Sequence, residues 1–435
     1  MRQYGLAWLA EIGEQATIGK RHFGWICGLA RLAGAWDGRQ PEMFTRISNE
    51  RDNLWAALDF CSRQPGELAA GAEAAQHLMA FWACRGPFGD VRRMLTSLAA
   101  LAPEDSLPRA RLLWVAAVMA TSQNDYDACA VLSDESLRIG TEVKDVEVVA
   151  WSLLLGAMPR WVVEADLAGA AQQLESALSL ARLMRVERAE LDILETLCGL
   201  SIATGDLDRA VEVGEQGLAM SKNRGELWAR GYVLTFLAQA SWLRGERPRA
   251  EALAREAAVC KHAIDDRNGL TIALGTLGWM AAECGQHERA ATLLGSAQRV
   301  RDESSLTLLD LFRPQHERSV SLIVRGIGQK AFDAAYARGR TMTIDEGVAF
   351  AVEDRQLRKP ASTVKAASDT ALTPRQLEIA RLIADDLTNR QIADRLFLSE
   401  RTVETHITNI LNKLGLNSRI QLSRWIAELP ETTRS

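Results

Sequence analysis

A helix predicted near the C-terminal end of the chain carries side chains suited to hydrogen bonding with nucleic acid. Ser399 is a typical N-cap for this helix, and Gly415 is a typical C-terminal stop. One face offers hydroxyl, amide, carboxylate and guanidinium groups that can reach base edges and phosphates in a major groove. A helix exposed only for solubility would more often carry many Lys and Glu residues. The polar face consists of Arg401, Glu404, Thr405, Thr408 and Asn412, with Asn409 on its flank.

The opposite face of the same helix is apolar over an arc of about 100°, which predicts that it packs on neighbouring helices. Three other short helices are predicted around it, so that residues 371–435 form a four-helix domain. Two of them begin with capping boxes, at residues 373–376 and 388–391, and Ser418 caps the last. The predicted core includes Ile392, Ala393 and Leu396 on the second helix and Val403, Ile407, Ile410, Leu411 and Leu414 on the third.

No arrangement typical of an enzyme site is found in the sequence. Residues 13–21 come nearest to a phosphate-binding loop, but five residues separate the glycines where the motif has four, and Arg21 replaces its Ser or Thr. The six histidines lack the spacing of metal ligands, and His406 is expected to pack or to face phosphate. We therefore predict that the chain is not an enzyme and that it binds no cofactor or metal.

Composition indicates a soluble protein of more than one compact unit. The chain has 435 residues, of which 47% are hydrophobic, and a net charge of −5. Seven cysteines without a CxxC pair favour buried reduced thiols, and no apolar run is long enough to cross a membrane. From position 371 onward nine basic residues stand against eight acidic ones, so the acidic excess lies in the rest of the chain. We therefore predict a cytoplasmic protein without membrane contact.

The middle of the chain is predicted to be a helical repeat. Runs that begin at Gly205, Gly245 and Gly285 recur at a spacing of 40, and runs that begin at Asn124 and Ala165 hold nearly the same register. Each run ends an apolar helix, makes a turn and begins a second helix with a small residue. Another small residue follows seven positions later, so both lie on one packing face. The pairs are Cys129 and Ser136, Ala170 and Ala177, Ala210 and Gly217, Ala250 and Ala257, and Ala290 and Ala297.

These runs resemble the hairpins of tetratricopeptide repeats, most clearly in residues 277–290. The period is longer than the ~34 residues usual for that repeat, which implies longer helices or connectors. An unrelated helical bundle is the alternative, but five copies in register favour the repeat. A body of this kind offers a surface for a protein or small-molecule effector.

The sequence thus predicts an all-α chain in four segments. The first is helical but less regular, and Trp55, Phe81 and Trp82 are its expected core aromatics. The polar third segment is a linker that would span about 20–25 Å if flexible. The segments are an N-terminal helical region (1–105), tetratricopeptide-like repeats (106–353), the linker (354–370) and the four-helix domain (371–435).

The four-helix domain resembles the LuxR-type helix-turn-helix. The resemblance implies that residues 403–414 form a recognition helix in the major groove of double-stranded DNA. Three positions depart from the family pattern, because Gln376, Asp386 and Glu404 stand where Glu, Gly and Lys are usual or common. The departure at 404 affects the expected base preference more than DNA binding itself. The matching runs are residues 372–375, 389–393, 398–406, 410–415 and 417–419.

The resemblance also implies a role for individual residues. Glu404, Thr405 and Thr408 would read bases. The fourth helix would be the dimerisation helix of a homodimer on DNA, although its apolar face could equally serve packing inside the domain. The expected phosphate contacts are Asn389, Arg390, Arg401, Lys413 and Arg419, and the dimerisation face is Leu422, Trp425, Ile426 and Leu429.

The rest of the chain resembles the C-terminal two-thirds of large ATP-binding LuxR regulators, through residues 50–58, the repeats, 293–297, 331–336 and 339–340. In that family a nucleotide-binding module comes first, and this chain begins after its expected end. We therefore expect a sequence-specific DNA-binding transcriptional regulator whose repeats serve as a sensor or protein-interaction platform. RNA polymerase is a further candidate partner. The alternative is a protein-binding scaffold with a vestigial DNA-binding head.

Overall fold

The fold is all-α, as predicted. Every regular element that the structure, a computed structural model, describes is an α-helix or a short 3-10 helix. The chain divides into two compact units, Met1–Pro360 and Ala361–Ser435, which we call the body and the head. The predicted linker lies outside the described residues. These are residues 11, 13–353, 372, 374–385, 387–396, 403, 407, 410–411 and 419–427.

Among the described residues of the body, five helices precede the repeats. Of the aromatic residues expected in their core, Phe81 and Trp82 are buried, whereas Trp55 is partly buried against the core. All seven cysteines of the chain are buried thiols, as expected. The helices are α1 (Gln15–Ala33), α2 (Gln40–Asn49), α3 (Arg51–Arg63), α4 (Leu68–Arg85) and α5 (Phe88–Leu101), with a 3-10 turn at Pro65–Glu67.

Five helix hairpins follow, and they confirm the repeat. The predicted runs all fall at the turn between the two helices of a hairpin. The first helix of each hairpin is apolar over most of its circumference, because it packs on several neighbours at once. The hairpins pair α6 (Leu107–Thr121) with α7 (Tyr126–Val143), α8 (Val146–Val162) with α9 (Leu167–Leu183), α10 (Glu187–Thr204) with α11 (Leu207–Arg224), α12 (Trp228–Leu243) with α13 (Arg247–Ala263), and α14 (Arg267–Glu283) with α15 (His287–Ser304).

A residue with a left-handed backbone conformation lies at every turn of this array. The regular spacing of these turns is the origin of the period in the sequence. Such a residue ends a helix within one position, so the next helix begins almost at once. Aspartate caps the second helix in the first three hairpins, as Asp206 does by accepting a hydrogen bond from the backbone N–H of Arg209. The left-handed residues inside hairpins are Asn124, Ala165, Gly205, Gly245 and Gly285, and those that follow each hairpin are Lys144, Arg185, Gly225, Asp265 and Ser305.

The small residues of the second helices form the predicted packing face. Ala170, Ala210, Ala250 and Ala290 are all fully buried, and so is Cys129. The positions seven residues later are buried as well, from Ser136 to Ala297. Small side chains let the helices approach closely, which a leucine at these positions would prevent.

The N-terminal helices close back on repeats far along the chain. Gln40, at the start of α2, donates to the carboxylate of Glu226 at 2.8 Å, and both side chains are buried. Arg85, at the end of α4, donates to the backbone oxygen of Ile264 at 2.9 Å. Arg188 of α10 donates to the backbone oxygen of Gly34 at 3.2 Å. The body is therefore a closed unit, and not an array in which each repeat contacts only its neighbours.

Three further described helices of the body pack on the last hairpin. The tightest approach is between α15 and the second of them, since a methyl group added at Gly339 would overlap the backbone oxygen of Thr292. Gly295 meets the backbone oxygen of Tyr336 in the same way. The last helix opens with a capping box made by Thr343 and Glu346. The helices are α16 (Arg313–Ile327), α17 (Gln329–Thr341) and α18 (Ile344–Val352), preceded by a 3-10 turn at Asp310–Phe312.

The head has its own small core. Three of its helices have described bounds, and the described residues Val403, Ile407, Ile410 and Leu411 are also helical. The core residues come from all of these parts, so the domain is held together by contacts among its own helices. The helices are α19 (Pro374–Ala384), α20 (Asn389–Leu396) and α21 (Arg419–Ala427).

Candidate nucleic-acid interface

The predicted capping box at the start of α20 is present. The backbone N–H of Thr388 donates to Oε1 of Gln391 at 2.8 Å, and the backbone N–H of Gln391 donates to the Thr388 hydroxyl at 3.3 Å. These two bonds satisfy backbone donors at the helix start and fix where the helix begins. The box that was predicted to begin at Thr373 lies outside the described residues.

Two of the predicted phosphate contacts stand directly after this cap. Asn389 is the first residue of α20 and is partly buried, and Arg390 beside it is exposed. Backbone N–H groups and the positive end of the helix dipole also favour an anion here. Neutral and cationic donors at a capped N-terminus are the groups that hold phosphate oxygens at the edge of a groove.

The apolar side of the predicted recognition helix is buried as expected. Val403 and Ile410 are fully buried, Ile407 is 9% exposed, and Leu411 is partly buried against the core. Leu396 of α20 is partly buried as well, whereas Ile392 and Ala393 are fully enclosed. The predicted core residue Leu414 lies outside the described residues. So do the predicted base readers Glu404, Thr405 and Thr408 and the phosphate contacts Arg401 and Lys413.

Helix α21, the predicted dimerisation helix, packs mainly inside the head. Leu422 is fully buried and Ile426 is 7% exposed, and both belong to the head's own core. Trp425 is partly buried against that core. Internal packing thus accounts for Leu422 and Ile426. Among the described residues of this face only Trp425 retains surface for a second subunit, and Leu429 lies outside the described residues. Arg419 is the first residue of α21.

The core contribution of α19 was not predicted. Ile379, Ala380 and Ile383 are almost fully buried, and Leu382 is 7% exposed. Their spacing of one, three and four residues is the signal of a buried helix face. Gln376, at the start of the same helix, is 9% exposed. This burial suits the glutamine found where the family usually has a glutamate, since a neutral amide is less costly to bury than a carboxylate.

The sequence of the head matches a known family of regulatory domains. Residues 370–426 match the family model described as bacterial regulatory proteins, luxR family. The head is a LuxR-type helix-turn-helix domain. This domain is 53% identical over 51 residues to the transcriptional regulatory protein LiaR of Bacillus subtilis, covering 12% of this chain and 24% of LiaR. It is 44% identical over 55 residues to the nitrate/nitrite response regulator NarL of Escherichia coli, covering 13% and 26% of the two chains.

A longer relative extends the similarity beyond the LuxR-type domain. A Mycobacterium tuberculosis protein, provisionally named HTH-type transcriptional regulator Rv0890c, is 31% identical over 250 residues. The alignment covers 57% of this chain and 27% of the relative, so the chain spans about a quarter of the length of that protein. A solved signal transduction ATPase with a tetratricopeptide repeat sensor, from Pyrococcus horikoshii, aligns over 69% of this chain and 52% of its own, at 12% identity and a TM-score of 0.40.

The described residues contain neither a candidate membrane span nor a candidate metal site. No described helix combines the length and the apolar character that a membrane span requires. Within the same residues, no cluster of His, Cys, Asp or Glu side chains is arranged to hold a metal ion.

Proposed function

We propose that this protein is a sequence-specific transcriptional regulator that binds double-stranded DNA through the LuxR-type domain, with its body as a sensor or interaction platform. The observation that carries the proposal is the head itself, which has its own core and a capped N-terminus at α20. A domain that had lost its function would be under no constraint to keep both the cap and the polar side of the recognition helix. This argues against the scaffold with a vestigial head.

The proposal assigns two kinds of contact to the LuxR-type domain. Asn389, Arg390, Arg401, Lys413 and Arg419 would hold phosphates, and these contacts would set the register of the domain on the duplex. Glu404, Thr405 and Thr408 would select the sequence. A glutamate among the base readers favours cytosine, whose exocyclic amine donates a hydrogen bond in the major groove.

A homodimer on DNA is part of the proposal, because one small domain gives weak binding and two linked heads give avidity. Trp425 is the described residue of α21 that could contribute to such a contact. RNA polymerase remains a candidate partner that the chain's own residues do not specify.

The test measures DNA binding of the full chain by fluorescence anisotropy. One labelled duplex comes from the region upstream of the protein's own coding sequence, and the other has a random sequence. We expect tighter binding to the first duplex and an affinity for both that falls steeply with salt, because phosphate contacts release counterions. Arg390→Ala should weaken binding to both duplexes, and Arg318→Ala, which changes an exposed arginine of the body, should leave both unchanged. A folded head without salt-dependent binding would favour the scaffold.

A further inference from the structure

The body contains a cavity whose walls come from all five hairpins. Its volume is about 160 Å³, and the first helix of each hairpin contributes to the lining. The segment after α15 closes one side through Leu309, Leu311 and Phe312, and Phe312 stacks on Phe236 with ring centroids 6.1 Å apart. Asn124 holds this segment by donating to the backbone oxygen of Leu308 at 3.1 Å and accepting from the backbone N–H of Asp310 at 3.0 Å.

Aromatic side chains form a large part of the walls. They come from α7, α8, α12 and the closing segment. Ring faces carry a negative electrostatic potential that attracts cations, most strongly when the cation is desolvated. The rings are Tyr126, Trp151, Trp161, Trp228, Tyr232, Phe236 and Phe312.

Two carboxyl groups on α10 line the same cavity. Asp192 is 4% exposed, and neither of its carboxyl oxygens has a hydrogen-bond partner. Glu195 follows three positions later on the same helix face and is partly buried in the wall. An unpaired carboxyl in an apolar site is costly, so a structure that keeps one usually uses it. Burial raises the pKa of Asp192 well above its ordinary value and that of Glu195 to about 8.

No basic side chain of the described body balances these two acids from inside the cavity, since its lining contains no Lys, Arg or His. The cations and acids nearby are already engaged with other groups. Arg188 donates to Gly34, and Lys261 pairs with Asp266 at 2.7 Å. Glu226 accepts hydrogen bonds from Gln40 and from backbone N–H groups at the start of α12.

The protein already stabilises one ammonium group on these aromatic rings. Nζ of Lys261 lies 3.0 Å from the ring centroid of Tyr232 and 5.9 Å from that of Trp228. Both rings also line the cavity. The fully buried Lys261 thus shows that an ammonium, given a carboxylate and these rings, is stable in this environment. Asp192 and Glu195 are a second set of carboxyl groups beside the same rings, without an ammonium of their own.

We propose that this cavity binds a small organic cation, an amine or quaternary ammonium with an apolar body, held by Asp192 and Glu195 and enclosed by the aromatic walls. The proposal rests on the sensor role proposed for the body and names the chemical class of its effector. A neutral polyol would also find ring faces and acceptors here, but it would leave both acids without an ion-pair partner. The cation would stabilise the ionised form of these acids, which burial alone disfavours.

The first test uses the unaltered full chain without DNA, so its result does not depend on the function of the head. Isothermal titration calorimetry compares two amines and one quaternary ammonium with neutral compounds of the same shape. These pairs are 2-phenylethylamine and 2-phenylethanol, isoamylamine and isoamyl alcohol, and choline and 3,3-dimethylbutan-1-ol. We expect at least one cation to bind with one-to-one stoichiometry and about tenfold or more tighter than its neutral counterpart. Equal binding within every pair, or no binding by any cation, would overturn the proposal.

The second test changes the two acids. Asp192→Asn and Glu195→Gln keep the shape of each side chain and remove its ability to ionise. Each should therefore weaken amine binding about tenfold or more and leave the neutral compound unaffected. Glu187→Gln is the matched control, because this glutamate lies on the same helix but pairs with Arg224 at the surface. Thermal unfolding shows that each variant is folded. Amine affinity that stays the same in both cavity variants would place the binding elsewhere and refute the assignment.

Discussion

The ammonium of Lys261 lies 2.7 Å from the carboxylate of Asp266, and both side chains are completely buried. The same ammonium donates to the backbone oxygen of Trp228 at 2.7 Å, and Asp266 caps α14 by accepting from the backbone N–H of Gly269 at 2.8 Å. One ion pair therefore connects the end of α13 with the starts of α12 and α14. A charge pair this deep repays its desolvation only because each partner makes further hydrogen bonds.

Replacing one partner of this buried pair should therefore lower the free energy of unfolding far more than breaking an ion pair at the surface. Lys261→Met leaves the Asp266 carboxylate buried without its cation, and we expect the free energy of unfolding of the body to fall by about 3–5 kcal/mol. Urea unfolding followed by tryptophan fluorescence measures the change. Arg63→Ala is the control, since its pair with Asp59 is exposed and should contribute less than about 1 kcal/mol. Equal losses in the two variants would show that the buried pair is not a structural connection.

The close packing of α15 against α17 predicts that a larger side chain at the contact lowers the stability of the body by steric overlap. Gly339→Ala would force a methyl group against the backbone oxygen of Thr292, and because backbone cannot move aside as a side chain can, we expect a loss of about 1–3 kcal/mol or more. Gly275→Ala provides the matched control. This glycine is also within a helix, but it has open space around it, so the change should stabilise by about 0.5–1 kcal/mol. Thermal unfolding of the two variants should move the midpoint in opposite directions.

The raised pKa of Glu195 predicts how the stability of the body depends on pH. Its pKa of about 8 in the folded body lies above the ordinary value of 4.5, so between these values the folded body holds a proton that the unfolded chain has lost. Stability is therefore full at the acid end of this window and falls as pH rises toward about 8. Lys261 opposes this shift, and Glu226 and Asp266 add to it. The raised pKa of Asp192, which faces Glu195, Arg188, Glu226 and Lys261, acts in the same direction.

The measurement is the unfolding midpoint of the body at a series of pH values from about 5 to about 8.5. Glu195→Gln should flatten the decline across this range, because the glutamine has no proton to lose. Glu187→Gln, at the surface of the same helix, should keep the decline of the unaltered protein. If Glu195→Gln declines as steeply as its control, the group responsible for the pH dependence is another one.

Two predicted DNA contacts should behave differently when each is truncated. Thr405→Ala should cost roughly 1–3 kcal/mol on the preferred duplex and little on random DNA, because a short side chain matters only against a base edge. Arg401→Ala should weaken binding to both duplexes and lower the salt dependence by about one unit of slope per contact and head. Circular dichroism first establishes that both variants are folded. The assignment is wrong if the two variants exchange these effects.

The fold was predictable wherever the determining interactions are local. Asn124 and Gly205 stand at turns whose left-handed backbone favours these residue types, and the aspartate that follows each of them caps the next helix. Both signals are visible in the sequence. The contact between Gln40 and Glu226 was not predictable, since each looks like an ordinary surface residue of a helical protein. Only the closure of the body makes them neighbours. The capping box at Thr388 was correctly predicted for the same reason as the turns, because all its parts lie within four residues.

The cavity had no sequence signal at all. Asp192 and Glu195 are acidic residues on consecutive turns of one helix, a pattern that usually means exposure to solvent. The rings around them come from Trp151 on α8, Trp228 on α12 and Phe312 in the closing segment. Each ring alone fits a hydrophobic core. What distinguishes the site is that two acids and several rings from distant positions share one space without a basic partner in its lining.

The closure of the N-terminal helices on the repeats also fixes the number of hairpins that can lie between the contacting residues. Arrays of helical hairpins ordinarily gain or lose whole units during evolution, because each unit depends only on its neighbours. In this protein, removing one hairpin between Arg85 and Glu226 would shift Glu226 by one hairpin relative to Gln40. The buried carboxylate would then lose the amide that donates to it. Duplicating a hairpin would separate the two residues in the same way. Most repeat proteins can change in length, but the number of hairpins within the closed stretch of this chain is fixed. Only hairpins outside that stretch remain free to be added or lost.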